Sequence, residues 1–133
     1  MLLTVGITAS AQEALDSRHT IVSPEIHDDN RVTFRLKTPD HVASVRVGSD
    51  CFSSGGADLK KNAEGIWEYT TPEPLPSELY SYFYVVDGMM MLDPSNVYIV
   101  RDVSTTMNIF IIGGGIGDLY KVNAVPHGTV SRV

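Results

Sequence analysis

Apolar and polar residues alternate along most of the chain between residues 21 and 112. The clearest run is 31–37, in which Val32, Phe34 and Leu36 alternate with polar or charged residues. Strict alternation predicts half-buried β-strands, and the runs are separated by short turn sequences rich in Gly, Pro, Asn and Asp. The pattern therefore predicts an all-β, immunoglobulin-like sandwich of about seven to eight strands.

The longest predicted strand, 79–86, is apolar on both of its faces. Three tyrosines share one face with Val86, whereas Ser81, Phe83 and Val85 share the other face. A strand of this kind is central in its sheet or is covered by a partner on its second face. We therefore predict that Phe83 and Val85 contact another domain. Asp87-Gly88 predicts a tight hairpin after this strand.

The inward positions of the alternating runs predict the hydrophobic core. Its predicted members are Val32, Phe34, Leu36, Val45, Val47, Trp67, Tyr69, Tyr80, Tyr82, Tyr84, Val86, Ile109 and Ile111.

The two ends of the chain differ from this alternating region. Residues 1–11 are apolar up to the small residues Ala9-Ser10-Ala11, a pattern that predicts a residual signal peptide and a secreted or periplasmic protein. The alternative to a signal peptide is a disordered or adventitious N-terminus. We expect a flexible segment at 12–20, a sandwich over 21–112, and a linker plus a first strand at 113–133. That strand would lead into a further α/β-hydrolase domain.

Charge narrows the range of partners. The net charge is −6 and the isoelectric point is near 5.0, which argues against binding to nucleic acid or to anionic membranes. Cys51 is the single cysteine, so no disulfide within the chain is possible. Neither property identifies an activity.

The chain carries no recognisable catalytic, metal or cofactor motif. A Gly-x-Ser-x-Gly nucleophile elbow is absent, and the four histidines are scattered through polar segments. The spacing around His27-Asp28-Asp29 matches no zinc or calcium pattern. The glycine run at 113–117 lacks the third glycine of a dinucleotide fingerprint. We therefore predict no catalytic residue, no metal ligand and no cofactor.

Several motifs occur in a fixed order: Gly65-x-Trp67, Tyr80-x-Tyr82-x-Tyr84, Asp87-Gly88, Asp93-Pro94-x-Asn96 and Val125-Pro126-His127-Gly128. Together they resemble the early-set sandwich related to carbohydrate-binding module family 48. The C-terminal motif resembles the junction with an esterase domain of the carbohydrate esterase family 1 type. The resemblance implies a non-catalytic accessory domain that packs on, and borders, the catalytic domain of a feruloyl or acetyl-xylan esterase.

The same resemblance points to an alternative, a module that contacts plant cell-wall polysaccharide, such as xylan or glucan, directly. Starch-binding members carry two exposed tryptophans, which would fall near Phe52 and at Met90, and a lysine that would fall at Phe83. Only the polar residue Asn108 is retained. Phe52, Met90 and Asn108 are therefore the candidate sugar-binding residues.

Two further interpretations concern partners. The chain could be a binding or adhesion module unconnected to an enzyme, a reading that a nucleophile elbow beyond Val133 would exclude. An isolated module could also form a homodimer, because removal of a neighbour exposes apolar surface and a free strand.

Overall fold

A computed structural model describes residues 21–122 as two antiparallel β-sheets that pack face to face, which confirms the predicted all-β sandwich. The predicted signal peptide at 1–11, the predicted flexible segment at 12–20 and the predicted strand at 129–133 lie outside the described residues.

The first sheet has four strands. In spatial order they are β1 (Glu25–Ile26), β2 (Val32–Lys37), β6 (Ile66–Thr70) and β5 (Lys60–Lys61).

The second sheet has six strands. Five follow one another in the order β4 (Gly56–Asp58), β3 (Val45–Ser49), β7 (Leu79–Val86), β10 (Thr106–Ile111) and β9 (Ile99–Arg101), and the sixth, β8 (Met89–Met91), pairs with β7.

The ten strands exceed the predicted seven to eight partly because the short segment 56–61 is divided between the two sheets. Strand β4 pairs with β3 in one sheet, and β5 pairs with β6 in the other. The chain crosses between the sheets at Leu59, whose side chain is buried in the core. The crossing therefore closes one side of the sandwich.

The core lies between β2 and β7, as the alternation predicted. Val32, Phe34 and Leu36 are buried, and so are the three tyrosines of β7. The rings of Phe34 and Tyr82 lie 5.2 Å apart across the interface between the sheets. Tyr69 and Val86 are only partly buried and pack on the edge of this cluster.

The predicted orientation of β10 is wrong. Ile109 and Ile111 were expected in the core, but Asn108, Phe110 and Ile112 point inward and are buried, whereas the two predicted isoleucines are only partly buried. The apolar run 109–112 carries no polar residue that marks its outer face. Because Asn108 is buried, Phe110 and Ile112 face the core, and Ile109 and Ile111 face outward.

The hairpin at Asp87-Gly88 is confirmed. Both residues have positive φ, 47° and 87°, as a two-residue type I′ turn requires. The Asp87 carboxylate also accepts the backbone N–H groups of Ser44 (2.8 Å) and Ala43 (3.1 Å). These bonds hold the pKa of Asp87 below its usual value and tie the hairpin to the start of β3.

The folded unit extends past residue 112, where a linker was expected. A 3₁₀ helix spans Ile116–Tyr120. The Ser77 hydroxyl donates to the Ile112 carbonyl (2.9 Å) and accepts the Gly117 N–H (3.0 Å). A Cβ atom on Gly117 would overlap the Ile112 carbonyl, so the close approach requires glycine. The beginning of the predicted linker is thus attached to the sheet.

The side-chain orientation at β10 can be tested with the same substitution at two neighbouring residues. Ile112→Ala should lower the free energy of unfolding by about 2–5 kcal/mol, because it leaves a cavity in the core. Ile111→Ala, on the outer face, should lower it by about 1 kcal/mol or less. Chemical denaturation of both variants measures the difference, and equal losses would contradict the assigned orientation.

Candidate functional site

The outer face of the six-stranded sheet carries a group of apolar side chains, and the polar residues Ser81 of β7 and Arg46 of β3 lie beside them. Because residues alternate along a strand, Leu79, Phe83 and Val85 of β7 point away from the buried tyrosines. The register places Met90 opposite Val85, and Ile111 opposite Leu79. We call the group Leu79, Phe83, Val85, Met90, Ile109 and Ile111 the outer apolar face. Its members are partly buried or exposed, and Met90 is 47% exposed.

Phe83 lies on a glycine of the neighbouring strand. Gly48 of β3 is its register partner, and a Cβ on Gly48 would lie 2.5 Å from Cζ of the Phe83 ring. The ring therefore covers the backbone of Gly48, which is buried although it lies on an outer face. Such aromatic cover compensates for the weak β-propensity of glycine. Phe83 thus uses part of its ring within the sheet, and the rest of the ring remains accessible on the outer apolar face.

The three predicted sugar-binding residues do not form a common surface. Phe52 is partly buried, and its ring lies 6.1 Å from that of Phe34 and 5.7 Å from that of Tyr69. Asn108 pairs with Tyr82, whereas Met90 pairs with Val85, three residues or roughly 10 Å further along β7. Met90 alone is well exposed.

The Asn108 side chain has a structural role and is not exposed on the surface. Its side-chain carbonyl accepts the Asp93 N–H (2.7 Å), and its amide donates to the Asn96 carbonyl (2.9 Å). It is fully buried. A sugar could reach it only by displacing the turn at 93–96, so we no longer regard Asn108 as a sugar ligand.

Asp93 is the centre of a buried polar network that the sequence did not reveal. It is 2% exposed, and its carboxylate accepts the hydroxyls of Tyr82 (2.9 Å) and Tyr84 (3.4 Å) and the Ser95 N–H (2.8 Å). Ser23, in the segment before β1, bonds to the Tyr84 hydroxyl (2.8 Å). The network therefore joins the β8–β9 connection to both sheets.

Burial dominates the electrostatics of this network. It raises the pKa of the Asp93 carboxyl, although hydrogen bonds from Ser23, Ser95 and the two tyrosines lower it in part. Burial and the nearby Asp93 charge also raise the pKa values of the Tyr82 and Tyr84 phenols. The phenols thus remain protonated and serve as donors to the carboxylate.

An open groove of about 530 Å³ lies beside this network. One wall is the segment 21–26, and the other is formed by the edge of β10 and the connection at 95–98. Most of its side chains are aliphatic, and Asn96 and Ser95 provide polar groups. Within residues 21–122 its lining includes no charged side chain.

Other chemistry is sparse in the described part of the chain. Residues 21–122 hold no group of three or more His, Cys, Asp or Glu side chains placed to bind a metal ion. Burial raises the pKa of the Cys51 thiol, which disfavours the reactive thiolate. Among these residues no helix is long and apolar enough to cross a membrane.

The similarities to known proteins cover only a small part of each of those proteins. The chain is 31% identical over 71 residues to an endo-1,4-β-xylanase/feruloyl esterase of Xylanibacter ruminicola, a match that spans 53% of this chain and 10% of that protein. The fold is similar to part of a maltotriose-complexed pullulanase from Anoxybacillus sp. LM18-11, with a TM-score of 0.51 and 17% identity. That similarity covers 87% of this chain and 16% of the pullulanase. No protein-family model matches the chain.

The contact between Phe83 and Gly48 predicts a coupled pair of substitutions. Gly48→Ala should lower the free energy of unfolding by about 1–3 kcal/mol, because the new methyl group overlaps the ring. In a Phe83→Ala background the same change should be neutral or stabilising, since alanine has a better β-propensity than glycine. Equilibrium denaturation of the four proteins in this cycle provides the test, and additive effects would disprove the contact.

Removal of the Asp93 carboxylate should be costly. Asp93→Ala should lower the free energy of unfolding by about 2–4 kcal/mol, because the buried Tyr82 phenol loses its acceptor and the Tyr84 phenol keeps only the Arg35 carbonyl. Asp58→Ala, which removes an exposed partner of Arg46, should cost no more than about 0.5 kcal/mol. Urea denaturation measures both variants.

The Asp93→Ala loss should also depend on pH. Because the pKa of Asp93 is raised above 3.8 in the folded protein, the folded chain holds this proton more tightly than the unfolded chain does. The stability that the carboxyl contributes therefore declines as the pH rises from 3.8 through the folded pKa. The difference between wild type and Asp93→Ala should shrink between pH 4 and pH 7, and a difference that grows would contradict the burial argument.

Proposed function

We propose that this chain is a non-catalytic accessory domain of a larger secreted or periplasmic enzyme that removes side chains from plant cell-wall polysaccharide, of the feruloyl or acetyl-xylan esterase type. In this proposal the outer apolar face packs on, and borders, an α/β-hydrolase domain of the same polypeptide. The similarity to a xylanase/feruloyl esterase ten times the length of the matched region supports the enzyme class. The single observation that carries the proposal is the outer apolar face.

The two outer faces of the sandwich differ sharply in chemistry. On the four-stranded sheet, Arg35 lies between Glu25 (2.6 Å) and Glu68 (2.9 Å), and neighbouring outward positions are polar. That is the usual solvated face of an antiparallel sheet. The outer face of the six-stranded sheet presents leucine, isoleucine, valine, methionine and phenylalanine, with Ser81 and Arg46 beside them. An accessible apolar group bordered by polar residues is typical of an interaction site.

Direct sugar binding is the weaker alternative. A sugar platform needs exposed aromatic rings that can stack on pyranose faces. Phe52 is held by Phe34 and Tyr69, and Asn108 is buried. Met90 supplies no ring. The candidate residues therefore lack the geometry of a platform.

Expression of the complete reading frame tests the proposal. We expect a Gly-x-Ser-x-Gly elbow beyond Val133, and esterase activity on feruloylated or acetylated xylan. In the complete protein, Val85→Asp should weaken the interface by about 2 kcal/mol or more, because it places a carboxylate in an apolar contact and its cross-strand neighbour Arg46 is already paired with Asp58. In the isolated chain it should cost no more than about 1 kcal/mol.

Ile66→Asp is the matched control, since Ile66 is a partly buried aliphatic residue on the outer face of the four-stranded sheet, where it lies opposite Lys37. Its effect on stability should be the same in the isolated chain and in the complete protein. Thermal denaturation and hydrogen exchange of β7 and β10 report the interface. A reading frame without an elbow would refute the enzyme assignment, and equal effects of Val85→Asp in both proteins would refute the packing. Isothermal titration of the isolated chain with xylo-oligosaccharides should give no heat, and binding would favour the alternative.

A further inference from the structure

The free edge of β9 is the least protected edge of the sandwich. From Val97 to Val103 the chain exposes Val97 by 83%, Tyr98 by 70%, Ile99 by 53% and Val103 by 100%. Among residues 21–122, β9 pairs only on the side that faces β10. An apolar edge with unpaired backbone groups is a template for another strand, and proteins normally cover or interrupt such edges.

The other edges carry the usual protection. Strand β5 consists of Lys60 and Lys61, and both are exposed. Strand β1 has two residues and follows Pro24, while β4 ends in Asp58, which pairs with Arg46. Lysines, proline and short length discourage edge pairing. Strands β8 and β9 each have three residues, but β8 ends before the turn at 93–96, whereas hydrogen bonds at Tyr98 and Asp102 continue the pairing beyond both ends of β9.

The hydrogen-bond pattern shows which groups of β9 are free. The Tyr98 carbonyl accepts the Ile109 N–H (3.0 Å), and the Asp102 N–H donates to the Thr105 carbonyl (2.8 Å). Because backbone groups alternate in direction along a strand, those of Val100 also face β10, and those of Ile99 and Arg101 face outward. Within residues 21–122 the outward groups of Ile99 and Arg101 have no partner.

We propose that β9 pairs antiparallel with β9 of a second copy of this chain, about a two-fold axis at Val100. This register joins Ile99 to Arg101 of the second copy by two backbone hydrogen bonds, and the symmetry repeats them. It also places Val97 opposite Val103 of the second copy, and Val100 opposite its own equivalent. An isologous contact of this kind closes as a dimer.

The side chains suit this self-pairing. Valines meet at the axis and at both ends of the seven-residue segment. The aliphatic stem of Arg101 packs beside Ile99 of the second copy, and its charged end stays in water. Tyr98 lies opposite Asp102 of the second copy, so a hydroxyl donor faces a carboxylate. The pairing thus brings no like charges directly opposite each other.

The size of the contact sets the expected strength. Two seven-residue edges bury roughly 1,000 Å² in total, which is near the lower limit of specific interfaces. We therefore expect a dimer that dissociates on dilution. The pairing uses an edge of the sheet and leaves the outer apolar face free, so it does not depend on the proposed function.

Sedimentation equilibrium of the 133-residue chain tests the state directly. The wild type should be a concentration-dependent dimer, and Val100→Asp, which puts two carboxylates at the axis, should raise the dissociation constant at least tenfold. Met89→Asp, at an equally apolar exposed position of β8, should leave the constant within about twofold. A monomeric wild type, or a dimer that responds equally to both variants, would overturn the proposal.

Cysteine cross-linking tests the register and does not rely on the aspartate variant. Residues at the axis form a non-hydrogen-bonded pair with Cα atoms about 4.5 Å apart, which suits a disulfide. Val100→Cys should therefore give a covalent dimer under mild oxidation. In Val103→Cys the two cysteines would be roughly 20 Å apart, so this more exposed site should not cross-link. Wild type controls for Cys51, and equal cross-linking of the two variants would disprove the register.

Discussion

The architecture depends on a carboxylate that must be solvated inside the protein. Asp93 is buried, and an unpaired carboxylate there would cost several kcal/mol. Tyr82, Tyr84 and the Ser95 N–H supply the necessary donors, and Ser23 completes the group from the other sheet. The bonds from Tyr82 and Tyr84 hold the β8–β9 connection, which contains Asp93, against β7. The network therefore fixes the connection that leads into β9.

Asn108 explains how the sheet divides beside that network. Strand β7 pairs with β10 up to Tyr82 and with β8 from Tyr84 onward, so its edge changes partner between these residues. The gap leaves backbone groups near the turn at 93–96 without a strand to pair with. The Asn108 side-chain carbonyl accepts the Asp93 N–H, and its side-chain N–H donates to the Asn96 carbonyl. These two bonds replace the missing strand-to-strand hydrogen bonds. A buried asparagine is favourable here because both polar ends are satisfied.

The local pattern of the sequence was sufficient to predict most of the fold, but it did not predict the buried polar network around Asp93. Alternation identified β2, β3, β6 and β7 and their buried faces, and Asp87-Gly88 identified its turn, because these signals lie within a few residues. The orientation of β10 depends on Asn108, whose partners are twelve and fifteen residues away. The crossing at Leu59 depends on which sheet each neighbour joins. Such long-range contacts leave no periodic signal in the sequence. Asp93 likewise lies in the sequence Asp93-Pro94-x-Asn96, which is typical of an ordinary turn and does not indicate that its carboxylate is buried.

The two proposed surfaces are geometrically compatible, and their combination has a consequence for the parent enzyme. Antiparallel pairing at β9 places the two-fold axis perpendicular to the sheet, because Val100 of each copy points to the same side. The six-stranded sheets then form one continuous sheet with both outer apolar faces on one side. Two catalytic domains packed on those faces would be held side by side. Simultaneous contact with one polysaccharide chain would then raise the apparent affinity without any new sugar contact, because the second encounter becomes intramolecular.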